Sequence, residues 1–204
     1  MFQAIQDRCG ALAKNFREIP TERKELLQII ADYIINKRNA NEAINLVYVC
    51  THNSRRSHLG QVWAAVAAAY YGIANVSTFS GGTEATAFNP NAIQALTAAG
   101  FDVRKTNESN NPVYEVYFSE KEFTTCFSKV YNHEVNPEQN FAAIMTCSDA
   151  EDNCPFIPGC DLRIGTTYND PKAFDTTILQ NEKYTERSNQ IAMECLYVFS
   201  KVVE

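Results

Sequence analysis

The sequence predicts an α/β protein: a three-layer sandwich with a central parallel sheet and helices on both faces, plus an N-terminal helical extension. Three observations predict it. The runs "INLVYVC" (44–50) and "FAAIMTC" (141–147) are short, continuous and apolar, as strands buried on both faces are. They alternate with longer helical segments, the pattern of a doubly wound sheet. The helices also carry their own punctuation, with Asn89-Pro90 at one start and Gly72 and Gly100 near two ends.

Taken in order, residues 1 to about 43 read as helical. In "IPTERKELLQIIADYIINKR", Ile19 can staple the entry and Thr21 can cap, and Leu26, Leu27, Ile30, Ile34 and Ile35 form an apolar face. Such a stripe is expected to be a packing or dimerisation surface. The strand 44–50 follows, then the helix "SHLGQVWAAVAAAYYG", the strand "NVSTFSGG" and the helix "NAIQALTAAG". Residues 102–140 break the rhythm. There "PVYEVYF" alternates like a half-exposed strand and "TTCFSKVYNHEV" is its expected partner, so the segment reads as a hairpin-like insertion. "FAAIMTC" and "DLRIGT" are further strands, and a long helix is expected from about Thr176 to Val203. The organisation expected is an extension over 1–43 and an α/β domain over 44–204.

The 204 residues suffice for one domain with a sizeable core. A net charge of −6 without a basic block argues against nucleic acid or an anionic membrane as partner. No apolar run is long enough to span a bilayer. The start, "MFQAIQDRCGALAKNF", lacks the pattern of a signal peptide. A cytoplasmic location is therefore expected. Seven cysteines cannot all pair within the chain, and in a reducing compartment they point to redox, metal or nucleophilic chemistry.

The chemistry concentrates in "VCTHNSRRSH". Cys50 ends a predicted strand, Arg56 lies at Cys-x5-Arg spacing, and Ser57 follows as a helix begins. Five residues, Thr51, His52, Asn53, Ser54 and Arg55, can curl so that their amides point inward and form a nest for a tetrahedral oxyanion. The helix N-terminus aims at the same point, and Arg56 can close the ring with a bidentate fork. The same field favours the thiolate of Cys50, the nucleophilic form. Strands of a doubly wound sheet present their ligand sites at the carboxyl edge, where both Cys50 and Cys147 fall.

"VCTHNSRRS" resembles the signature loop of low-molecular-weight protein tyrosine phosphatases and of the thioredoxin-coupled arsenate reductases built on that fold. "SGGTEATAFNPNAIQALTAAGFDV" is similar to the segment that follows in the reductase branch. The resemblance covers about residues 45–101 and 141–175. It departs at His52, where the family usually has glycine, and at Arg55, where it often has a second cysteine. Arg55 is expected either to strengthen the anion field or to point outward.

The cluster "MTCSDAEDNCPFIPGC" holds Cys147, Cys154 and Cys160, open to three readings: a zinc site one ligand short, packing, or a thiol relay. "CSDAEDNCP" resembles the redox segment of the reductases. That resemblance implies that Cys147 resolves a Cys50 adduct and Cys154 then takes over the disulfide. Cys9, Cys126 and Cys195 read as packing thiols. Asp170-Pro171 resembles the family's general-acid loop, with Asp175 and Asp161 as weaker candidates, while His58 and His133 read as surface or structural.

The expected function is arsenate reduction. Cys50 is the nucleophile, Arg56 and the loop amides bind the oxyanion (arsenate or phosphate), Asp170 donates a proton, and Cys147 and Cys154 carry electrons from a thioredoxin-type donor. No metal or cofactor is needed. Two alternatives stand. One is phosphotyrosine or other phosphomonoester hydrolysis, for which Tyr114, Tyr117, Phe118 and Phe123 could wall the cleft. The other is a non-catalytic oxyanion-binding module.

Overall fold

The computed structural model describes residues 1–153 and 156–204. Two helices open the chain, α1 (Gln3–Ala13) and α2 (Thr21–Asn39). The α/β core follows as β1 (Ile44–Cys50), α3 (Arg56–Tyr70), β2 (Val76–Gly82) and α4 (Pro90–Ala98). Three short strands come next, β3 (Asp102–Lys105), β4 (Tyr114–Tyr117) and β5 (Phe123–Cys126). The chain ends with β6 (Phe141–Met145), α5 (Ser148–Asn153), β7 (Cys160–Gly165) and α6 (Gln180–Val203).

The main sheet is parallel, in the order β2-β1-β6-β7. The period-2 alternation of β1 divides its side chains between two cores. Ile44, Leu46 and Tyr48 pack with α1, α2, α3 and α6 on one face. Val47, Val49 and Cys50 pack with Phe141, Ala143, Met145, Cys147 and Ala150 on the other. Helices sit on both faces, but unequally, since the second face is covered by the short α5 and by the segment around Tyr131. No described helix is long and apolar enough to cross a membrane.

The N-terminal helices share the main core through Ile5, Cys9, Leu27, Ile30 and Ile34. The apolar face of α2 runs through Leu27, Ile30, Ala31 and Ile34; Leu26 is exposed and Ile35 only partly buried. Ile19 is buried at the entry, as a staple requires. Thr21, however, is the first helical residue and makes no capping hydrogen bond. At α4 the reading holds, because Asn89 Oδ1 accepts from the amides of Asn91 (2.9 Å) and Ala92 (3.3 Å) with Pro90 at the first turn.

Residues 102–140 form more than a hairpin. β4 and β5 pair as expected, but β3 adds a third antiparallel strand, with Asp102 opposite Tyr117. β3 is "DVRK", with one apolar residue, so it shows no alternation to detect. The last helix begins at Gln180 rather than near Thr176. A 3-10 turn over Pro171–Phe174 precedes it, and Thr176 sits at φ 64°, a left-handed conformation that cannot continue into a right-handed helix.

A buried polar chain ties α2 to α6 and onward. Arg23 donates from Nε to Glu194 Oε2 at 2.9 Å, and Glu194 also accepts from the Tyr168 hydroxyl at 2.8 Å. The Arg23 guanidinium lies 4.8 Å from the centre of the Tyr168 ring. Glu194 is 3% exposed, so removing its cation strands a buried carboxylate. Arg23→Met is expected to lower unfolding stability by about 3 kcal/mol, read as a reduced urea midpoint with an unchanged slope.

Candidate active site

Cys50 is the last residue of β1 and lies opposite Gly82 at the end of β2. The chain then turns through residues 51–55 and enters α3 at Arg56. The turn is held from outside by its carbonyls. The Cys50 oxygen accepts from the Thr83 amide (3.1 Å), the Thr51 oxygen from the Glu84 amide (2.9 Å) and the Ser54 oxygen from the Asn89 amide (2.9 Å). The His52 oxygen accepts from the hydroxyls of Ser128 (3.0 Å) and Thr86 (3.1 Å). No amide of residues 51–55 donates to another described residue. With the carbonyls of Cys50, Thr51, His52 and Ser54 held, those N–H groups are donors available to an anion.

Asn53 makes the turn possible. It is fully buried at φ 43°, a conformation asparagine tolerates. Its side-chain nitrogen donates to Ser57 Oγ at 2.9 Å, and its side-chain oxygen accepts from the Lys129 amide at 2.9 Å. Ser57 Oγ in turn lies 3.1 Å from Cys50 Sγ. Gly82 leaves the space that the turn occupies. A Cβ there would lie 2.6 Å from the Thr51 oxygen and 2.7 Å from the Asn53 nitrogen.

Cys50, His52, Ser54, Arg55, Arg56 and Asp170 line one small cleft of about 10 Å³, room for roughly one water molecule. Arg56 donates to the Tyr168 carbonyl and to Asp170 Oδ2, each at 2.7 Å, and its buried Nε has no partner among the described residues. Asp170 also caps the 3-10 turn, its Oδ1 accepting from the Lys172 amide at 3.0 Å. Arg55 does not point outward. It donates to the Tyr184 hydroxyl at 2.9 Å and lies 3.9 Å from Asp170 and 3.7 Å from Asp175. Tyr184 donates onward to Asp175 Oδ1 at 2.7 Å. His52 faces Glu84 at 3.2 Å on the exposed rim.

Cys147 stands on the same edge, in the same apolar cluster as Cys50. Its sulfur lies 3.4 Å from Thr51 Oγ1, on the residue adjoining Cys50, and accepts from the Ala150 amide at 3.4 Å. Cys154 lies outside the described residues. Cys160 opens β7 opposite Phe141, at the far end of β6 from Cys147, a separation of about 20 Å along the strand direction. Cys9, Cys126 and Cys195 are buried, and burial pushes each thiol up to about 12, so they pack as neutral groups.

The weaker acid candidates separate clearly. Asp161 is at the opposite end of the sheet, paired with Lys37 at 3.0 Å. Asp175 reaches the site only through Arg55 and Tyr184. His58 is fully buried against Phe88, with burial holding its pKa well below the usual value, so it stays neutral. The aromatic residues Tyr114, Tyr117, Phe118 and Phe123 do not line the Cys50 cleft. Sequence reading missed Ser128, Lys129, Tyr168 and Tyr184, all of which support the loop from distant parts of the chain and carry no local motif.

No family model matches the chain. Curated relatives do. An arsenate reductase of Bacillus licheniformis is 27% identical over 140 residues, spanning 68% of this chain and 81% of the relative. Arsenate reductase 2 of Staphylococcus haemolyticus is 26% identical over 113 residues, spanning 55% and 67%. Among solved structures, a low-molecular-weight phosphotyrosine phosphatase from Vibrio cholerae superposes with a TM-score of 0.53 at 14% identity, covering 79% of this chain and 98% of that one. An arsenate reductase solved in a phosphate-binding state superposes with a TM-score of 0.51 at 17% identity, covering 78% and 99%.

The chain has the fold of the low-molecular-weight phosphotyrosine phosphatases, and its sequence is similar to those of arsenate reductases. Gly82→Ala should press a methyl group into the turn backbone while leaving β2 paired. The expected result is a loss of inorganic phosphate affinity of about tenfold or more, roughly 1.4 kcal/mol, measured by isothermal titration, with the circular dichroism spectrum unchanged.

Proposed function

We propose that this protein reduces arsenate to arsenite, using Cys50 as nucleophile and Cys147 and Cys154 as a disulfide relay. The observation that carries the reading is the position of Cys147, whose sulfur lies 3.4 Å from Thr51 Oγ1 at the mouth of the Cys50 turn. Hydrolysis of a phosphomonoester has no use for a second thiol there.

Arsenate enters as a tetrahedral anion and takes the turn amides together with the Arg56 guanidinium. In doing so it displaces Asp170 from Arg56, the ion pair that otherwise fills the cleft. Asp170, freed from its cation and standing beside the bound anion, is the acid of this step. It delivers a proton to an arsenate oxygen. The Cys50 thiolate forms a sulfur–arsenic bond, and the protonated oxygen leaves as water.

Cys147 thiolate next attacks Cys50 sulfur. A Cys50–Cys147 disulfide forms, the sulfur–arsenic bond breaks, and its electron pair stays on arsenic, which leaves as arsenite. Cys154 thiolate attacks Cys147 sulfur, which releases Cys50 as a thiolate and leaves a Cys147–Cys154 disulfide. An external dithiol of the thioredoxin type reduces that bond. Ser57, 3.1 Å from Cys50, supplies a hydrogen bond to the departing thiolate in this last exchange.

Phosphomonoester hydrolysis is the competing reading, since the turn, Arg56 and Asp170 serve a phosphoryl group equally well. The aromatic walls it would use against an aryl substrate lie elsewhere. Cys147→Ser separates the two. Arsenate turnover with a thioredoxin system should fall by at least about a hundredfold, roughly 2.7 kcal/mol, while hydrolysis of an aryl phosphate stays within a few-fold. Arsenate turnover that survives this change sinks the relay. Loss of both activities in Cys50→Ser, with the fold intact, is expected on either reading, and retention of either there would exclude Cys50 as the nucleophile.

A further inference from the structure

A second cavity, of about 640 Å³, lies away from Cys50, within the size range of small-molecule sites. It is bounded by β2 from Val76 to Phe79, by α3 at Ala65 and Ala69, and by the segment from Phe118 to Phe127. It shares no lining residue with the Cys50 cleft.

Lys129 lines this cavity and is 4% exposed. Its ammonium lies 4.5 Å from the centre of the Phe127 ring, and its side-chain hydrogen bond, to the Phe127 carbonyl, is a long 3.5 Å. No described carboxylate pairs with it. The neighbouring Cys126 thiol is pushed up to about 12 by burial and supplies no counter-charge near neutral pH. Burial lowers Lys129 itself to about 8, which still leaves most of it protonated at pH 7. A buried ammonium with aromatic walls and no counter-ion is complementary to an anion with an apolar body.

We propose that this cavity is a binding site for a small carboxylate with an apolar body, its carboxylate on Lys129 and its body against Phe79, Phe123 and Phe127. A single cation matches a single negative charge. The one carboxylate lining the cavity, the exposed Glu122, is held by the Ser119 hydroxyl at 3.0 Å and disfavours a guest of higher charge. The site stands independently of the chemistry at Cys50.

The test uses the full chain in saturating inorganic phosphate, so that the Cys50 cleft is occupied, and titrates 2-naphthoate and 2-naphthamide by calorimetry. The acid should bind about tenfold or more tightly than the amide. Lys129→Met should erase that preference, and Ala69→Trp, which fills the cavity wall, should weaken the acid about tenfold with an unchanged circular dichroism spectrum. No binding of the acid at millimolar concentration, equal binding of acid and amide, or a preference that survives Lys129→Met overturns the proposal. Should Lys129→Met fail to fold, undiminished binding of the acid to Ala69→Trp overturns it.

Discussion

The site depends on one constraint: the carbonyl groups of the turn after Cys50 are claimed by neighbours. Four of them, from Cys50, Thr51, His52 and Ser54, accept hydrogen bonds from residues 83–89 and from Ser128. A peptide unit whose oxygen is fixed on one side carries its N–H toward the other. Outside anchoring of the carbonyls, rather than any attraction between the amides themselves, thus fixes how the turn presents its N–H groups. Asn53 at φ 43° and the bare Cα of Gly82 allow the curl, and Asn89 serves both as an anchor and as the cap of α4.

The cations are governed by competition. Arg56 is bound to Asp170 and to the Tyr168 carbonyl, and Tyr168 is itself held through Glu194 by Arg23 on α2. Arg55 is drawn toward Tyr184 and Asp175 on the other side. Both guanidinium groups are therefore held in one orientation, which in the proposed function reduces the entropy lost when an anion binds. On the proposed reading, the internal carboxylate that orients Arg56 is also the group an arriving anion displaces, so one contact both prepares the site and sets its threshold.

Much of the frame was legible because it is written locally. The bounds of β1 follow from "INLVYVC", and the start of α4 follows from Asn89-Pro90, since burial and capping act over a few residues. Cys-x5-Arg marked the turn for the same reason. The errors came where the cause is distant. Thr21 was read as a cap although the α2 entry is fixed by burial of Ile19, and β3 showed no pattern because pairing with β4, not its own sequence, makes it a strand. The anchors Ser128 and Lys129 meet His52 and Asn53 across 76 residues of chain, and no short window encodes such a meeting.

Those two anchors change what the segment over 102–140 is for. Ser128 and Lys129 sit just after β5, and the adjoining residues run beside the end of β2, with the Gly82 amide donating to Lys129 and Tyr131 donating back to Gly82. Their position follows from where the small antiparallel sheet settles. The same residues therefore join the end of β2 to the underside of the turn at Asn53. The excursion thus ends in two residues that grip the turn after Cys50, so the motif's own letters carry only part of what gives the turn its shape.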